Sequence, residues 1–213
     1  MRPSSDAVGG SILEAPYEEE TAMPVMSKVE RAFCCGAMWR TTTRAVLDML
    51  PTDRLGEQLL EIGSGSGAIA EGLSSARPGL SITATDLDPV MVDAATHRLK
   101  DNPHVTVQSA DATRLPFDDD EFDSVVSCLM MHHVIEWEAA VAEIARVLKP
   151  GGLFVGYDLT RTPVATAVHR VDRSPFRLVN PDELVVEGRS NGLRIDTSTK
   201  VFGHVMQFSA TKT

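Results

Sequence analysis

Apolar residues along this chain follow two alternating rhythms. Short apolar or β-branched runs predict strands at 58–62, 80–85, 104–108, 122–128 and 152–157. Between them, apolar residues recur at helical spacing and predict helices at 66–76, 89–100 and 136–148. In the last of these, Trp137, Val141, Ile144 and Leu148 form the stripe. Nearer the N-terminus, Met38, Ala45, Val46, Met49 and Leu50 share a face of a helix that Pro51 ends, and a shorter helix is predicted at 23–36. After Asp158 the alternation breaks. Asn180 and Pro181 then read as a helix cap and first turn, and Asn191 and Gly192 as its stop. Residues 193–201 and 204–211 read as two last strands, an antiparallel hairpin around Gly203. Strand–helix alternation of this kind predicts an α/β fold: a doubly wound, mostly parallel sheet with helices on both faces.

Composition narrows the reading. The chain has 213 residues, 43% hydrophobic and 23% charged, which suits one globular domain with a sizeable core. Residues 1–20 carry Pro, Gly, Ser and acid and read as a mobile tail. The net charge is −10, with acidic runs at Glu18–Glu20 and Asp118–Glu121. A nucleic-acid binder leaves a basic footprint, so nucleic acid is disfavoured as a partner despite the arginines of 161–177. No apolar stretch approaches the ~20 residues of a membrane span, and the N-terminus lacks the apolar core of a signal peptide. Cys34, Cys35 and Cys128 form neither a disulfide framework nor a metal-ligand spacing. The expectation is a cytoplasmic protein without a metal.

The most informative stretch is Glu61-Ile-Gly-Ser-Gly-Ser-Gly67, where a buried strand runs into three alternating glycines and then a helix. Glycines allow a tight turn and let a ligand lie against the backbone. Glu61 precedes the turn, and Asp86 ends the next apolar run. Paired acids suit a ligand with hydroxyls and a positive charge. Gly63, Gly65 and Ala68 also fit the G-x-G-x-x-A dinucleotide fingerprint, with Asp86 near the expected distance of about 20 residues, so an NAD(P)-linked oxidoreductase stays open at this point.

Four further motifs follow in order: Thr85–Pro89, Ser109–Phe117, Phe122–His133 and Val147–Leu153. With the glycine loop they resemble the class I S-adenosylmethionine-dependent methyltransferases, in particular the type 11, UbiE-like group, over roughly residues 40–213. The resemblance implies a seven-stranded sheet with an antiparallel last strand. From its place beyond the strand ends, the segment 21–50 is expected to form an N-terminal helical lid on a catalytic domain at 51–213. The resemblance implies methyl transfer from S-adenosylmethionine, with S-adenosylhomocysteine as product, to an O, N or C atom of a small-molecule acceptor. Gly63, Ser64, Gly65 and Gly67 would lie against the methionine part, supported by Glu61. Asp86 would accept from the ribose hydroxyls, Leu87 would pack on adenine, and Asp111 and Ala112 would meet the adenine amino edge. Cys128, within the fourth motif, is assigned to the same site. His132 and His133, expected to end the fourth strand, are the candidate bases. Ala110 stands where the family often has Gly. Tyr17, Phe33, Met38 and Trp39 are expected to form an apolar lid, and Arg161, His169, Arg170 and Arg173 a cationic side of the acceptor pocket. A catalytically silent binding protein of the same fold is the remaining alternative.

Overall fold

Leu59 and Leu60 are neighbours on one strand, so their side chains leave on opposite faces, and each enters a different hydrophobic core. That division organises the whole molecule. The computed structural model describes residues 43–163, 165, 166 and 175–213. Seven strands form one sheet: β1 (Gln58–Ile62), β2 (Ser81–Asp86), β3 (Val105–Ser109), β4 (Phe122–Cys128), β5 (Leu148–Leu159), β6 (Leu193–Lys200) and β7 (Val205–Lys212). Their order across the sheet is β3-β2-β1-β4-β5-β7-β6. β1 to β5 pair in parallel, and β7 runs antiparallel to both of its neighbours, as the resemblance implied.

Helices α1 (Ala68–Ala76) and α2 (Pro89–Leu99) cover one face with the segment carrying Val46 and Leu50. They bury Ile69, Leu73, Ala95 and Leu99 against Leu59, Ile82, Val126 and Val155. Helices α3 (Trp137–Val147) and α4 (Pro181–Ser190) cover the other face. They bury Trp137, Val141, Ile144 and Leu184 against Leu60, Val125, Phe154 and Phe208. Both faces of the central strands are therefore dry, which is why these strands read as continuous apolar runs. No helix among the described residues is long and apolar enough to cross a membrane.

Two elements differ from the sequence reading. The helix expected over 136–148 stops at Val147, and β5 begins at Leu148. The register jumps from Phe122↔Leu148 to Ser124↔Leu153, so Lys149, Pro150, Gly151 and Gly152 form a bulge inside a long strand rather than a turn before a short one. The helix expected to reach Leu50 is helical over 43–47 and gives way to a turn before Pro51. The helix expected at 23–36 lies outside the described residues.

The strand order reverses at β1. The chain steps outward to β2 and β3, then returns to place β4 on the other side. In an open parallel sheet such a switch point leaves a crevice beyond the strands' carboxyl ends. Here those ends carry Glu61 and Ile62 beside Val126 and Ser127.

Candidate active site

The glycine loop occupies this crevice. Gly63, Gly65 and Gly67 have φ of +69°, +52° and +77°, a region that only glycine enters cheaply. Their surroundings differ. A Cβ on Gly63 would overlap Met130 Cγ, and one on Gly67 would lie 3.2 Å from Ala95 Cα. A Cβ on Gly65 would meet nothing within 4 Å among the described residues. Gly63 and Gly67 are therefore constrained by packing as well as conformation, whereas Gly65 faces open space.

Asp86, at the end of β2, ties the loop down. Its Oδ2 accepts from Gly65 N at 2.8 Å and its Oδ1 from Asp88 N at 2.9 Å. Asp88, not Asp86, caps α2 by accepting from Val90 N, with Pro89 in the first turn. Ser64 N donates to Thr85 O at 2.8 Å. Arg98, on α2, donates to Ser66 O and pairs with Glu71. No motif signalled Arg98, because its role depends on two helices meeting.

Glu61 lies beneath the loop and is 1% exposed. The Ala70 amide of α1 donates to its carboxylate, while Oε2 has no hydrogen-bond partner among the described residues. Burial, reinforced by the nearby Asp86 carboxylate and opposed by the Ala70 bond, pushes the Glu61 carboxyl up to about 8. Burial also raises Asp86, against the amides of Asp88 and Gly65. Cys128 ends β4 beside them. Its thiol is raised by burial, then by Glu61, with Tyr157 acting in the opposite direction and Asp158 adding to the rise. The pocket floor thus gathers acids whose charged forms burial disfavours.

The remaining expected residues follow the ends of β2 and β3. Leu87 is exposed just past β2. Ala112 is buried. Asp111 Oδ1 accepts from Thr113 N and Thr113 Oγ1, both at 2.8 Å, so that oxygen is spent on its own turn. Arg146 holds the following loop through the carbonyls of Leu115 and Phe117.

His132 and His133 do not end β4 as extended neighbours. The strand stops at Cys128, Leu129 turns with φ +55°, and both histidines sit in a 3-10 turn, Met131–His133. Their rings lie 4.1 Å apart rather than on opposite faces. His132 is buried: its Nδ1 contacts Asp158 Oδ1, and its backbone N donates to Asp158 Oδ2 at 3.1 Å. Sequence reasoning missed Asp158, which is 26 residues away and signalled only as the point where the pattern breaks. Of the expected cationic side, Arg161 is paired with Glu183. Tyr17, Phe33, Met38, Trp39, His169, Arg170 and Arg173 lie outside the described residues. Among the described residues no three His, Cys, Asp or Glu side chains could hold a metal ion.

A bare carboxylate oxygen at Glu61, a buried unpartnered Ser64 hydroxyl, the Asp86 carboxylate and open space above Gly65 converge on one crevice among the described residues. That set of mainly acceptor groups fits a ligand bearing an ammonium group and vicinal hydroxyls. A cationic group would draw Glu61 into its charged form, whereas a pyrophosphate would not.

Comparison with known proteins agrees. A family described as a methyltransferase domain matches residues 60–156. The demethylmenaquinone methyltransferase of Clavibacter sepedonicus is 36% identical over 128 residues, covering 60% of this chain and 49% of that protein. The chain thus spans about half the length of the curated relatives it matches. In fold, it is similar to the putative methyltransferase solved with the Haloferax volcanii Trm112 methyltransferase activator. The TM-score there is 0.73 at 18% identity, covering 88% of this chain and 99% of that one. It is also similar to Haemonchus contortus phosphoethanolamine N-methyltransferase 2 in complex with S-adenosyl-L-methionine. The TM-score is 0.66 at 17% identity, covering 86% of this chain and 55% of that one. Residues 60–156 thus match a methyltransferase-domain family, and the chain is similar in sequence to demethylmenaquinone methyltransferases and a UbiE C-methyltransferase and in fold to solved methyltransferases.

Proposed function

We propose that the protein transfers a methyl group from S-adenosylmethionine to a small-molecule acceptor. The observation that carries this reading is the Glu61 carboxylate, buried at the switch point with one oxygen unpartnered among the described residues. A buried carboxylate left half-satisfied is costly, and a cationic ligand relieves that cost. Glu61 and Ser64 would hold the methionine end, with the backbone of Gly63, Gly65 and Gly67 beneath it. Asp86 would accept from the ribose hydroxyls with the lone pairs that Gly65 and Asp88 leave over. Leu87, Asp111 and Ala112 would frame the adenine. Bound there, the cofactor supplies an electrophilic methyl carbon on a sulfonium leaving group. The protein's share is to orient the acceptor and exclude water.

The named relative acts on demethylmenaquinone, so the reduced form of that quinone is the first acceptor to try. Incubating the full chain with methyl-labelled S-adenosylmethionine and this quinol, or with a small-molecule cell extract, should label an organic product and release S-adenosylhomocysteine. Labelling of neither the quinol nor any extract component would leave the protein as a cofactor-binding member of the fold without transferase activity.

A further inference from the structure

We infer that the Tyr157 hydroxyl donates to the carboxylate of the cofactor's methionine end, so that Tyr157 selects a cofactor whose amino acid is intact. The inference rests on the methyl-transfer reading above and assigns a partner to the anionic group that the crevice's acids leave unmatched.

Strand register places the residue. Glu61 pairs with Val126, and Cys128 pairs with Tyr157. The rung joining Cys128 and Tyr157 therefore stands two residues, about 7 Å, beyond Glu61 and level with Gly63. Val126, Cys128, Val155 and Tyr157 all belong to the core on the side of α1 and α2. Leu60 and Ile62 belong to the opposite core, so Glu61 between them leaves β1 on the same face as Tyr157. The Ala70 amide of α1 meets Glu61 on that face. Tyr157 thus lies one strand beyond Cys128, on the Glu61 side of the sheet and at the height of the glycine loop.

The hydroxyl is buried without a partner. Tyr157 is 2% exposed, and its oxygen makes no hydrogen bond among the described residues. The Cys128 thiol beside it is only a weak acceptor. Burial first, then Cys128, then Glu61 and Asp158, push the hydroxyl well above its usual range, so it keeps its proton and can donate. A buried tyrosine hydroxyl ordinarily finds a partner, and leaving it unmatched is costly.

The chemistry of the methionine end says what that partner is. It carries an ammonium and a carboxylate on one carbon. Glu61, with Oε2 open among the described residues, suits the ammonium. A carboxylate needs donors instead. Arg98, which braces the loop, is spent on Ser66 O and Glu71. Ser127 and Trp137 also hold buried unpartnered donors, but both face the opposite core. Ser64 is tied towards β2 through Thr85 O. That leaves Tyr157 as the donor on the β4 side of Glu61.

The test is calorimetry on the full chain, wild type and Tyr157→Phe, with two ligands. One is S-adenosylhomocysteine. The other is decarboxylated S-adenosylhomocysteine, which keeps the ammonium and lacks the carboxylate. Wild type should prefer the intact ligand about tenfold or more. Tyr157→Phe should lose about tenfold for the intact ligand and nothing for the decarboxylated one, a selectivity that a merely structural role would not produce. A second measurement needs no change at Tyr157. The chain has two tyrosines, so in Tyr17→Phe the ring carbon bearing the hydroxyl gives a single tyrosine NMR signal. That signal should shift strongly with the intact ligand and much less with the decarboxylated one. Equal losses for both ligands, no loss for either, equal NMR shifts, or a wild-type protein that binds the decarboxylated ligand as tightly would each overturn the proposal. A wild-type protein that binds neither ligand would strike the methyl-transfer reading, and the proposal with it.

Discussion

Replacing Glu61 by Gln should make the ligand-free protein more stable at neutral pH while weakening its hold on the cofactor. Burial raises the folded carboxyl from 4.5 to about 8, so the folded chain keeps a proton that the unfolded chain releases. The stability this group contributes is full below pH 4.5 and is lost as pH rises towards about 8. Each pH unit in that window is worth about 1.4 kcal/mol, so wild type gives up about 3 kcal/mol between pH 4.5 and neutrality. The side-chain amide of the Glu61→Gln variant has no such proton to lose. Asp123, Glu138 and Glu143, whose carboxyls are lowered, are common to both proteins and cancel in the difference. At about 2–4 °C per kcal/mol for a chain of this size, and allowing for the unpartnered new amide, Glu61→Gln should melt roughly 5 °C above wild type at neutral pH. The difference should shrink as pH falls and reverse before pH 4.5, where only the unpartnered amide still counts. Thermal melts across that range check this directly. Calorimetry in two buffers of different ionisation enthalpy should further show wild type releasing close to one proton as the cationic cofactor binds. A melting difference independent of pH, or cofactor binding with no proton release, would refute the reasoning.

Asp86→Ala should weaken cofactor binding roughly ten- to a hundredfold by calorimetry, because it removes a charged acceptor and releases the Gly65 and Asp88 amides. Gly65→Val should abolish cofactor binding with little change in fold by circular dichroism, since its Cβ enters open space but its φ of +52° resists a branched residue. Gly63→Ala should instead lower the melting temperature, because its Cβ would overlap Met130 Cγ. Gly72→Ala, which helix propensity alone favours, should bring no gain in stability, because the new methyl would overlap Leu47 Cδ1 and that side chain must shift.

The sheet was legible because its strands are buried on both faces and stand out as apolar runs between amphipathic helices. The glycine loop and Asp86 were legible because each is a local pattern. What could not be read depends on partners distant in sequence. Asp158 and His132 meet only when β4 and β5 align, and Arg98 supports the loop only when α2 packs beside it. Gly72 looks like an ordinary helix glycine because nothing local marks the contact with Leu47. The bulge at 149–152 escapes notice because Pro-Gly-Gly reads as a turn unless the pairing partner at Phe122 is known. The histidines are misplaced by extending β4 through an apolar Leu-Met-Met run that in fact turns.

The central claim is that the crevice above β1 and β2 holds S-adenosylmethionine. The most direct measurement is a calorimetric titration of the full chain with S-adenosylmethionine, S-adenosylhomocysteine and NAD, repeated on Asp86→Ala. The account requires binding of the first two at one site per chain, weakened by the substitution, and no binding of NAD. Binding of NAD, absence of binding by both sulfur compounds, or affinities untouched by Asp86→Ala would contradict it.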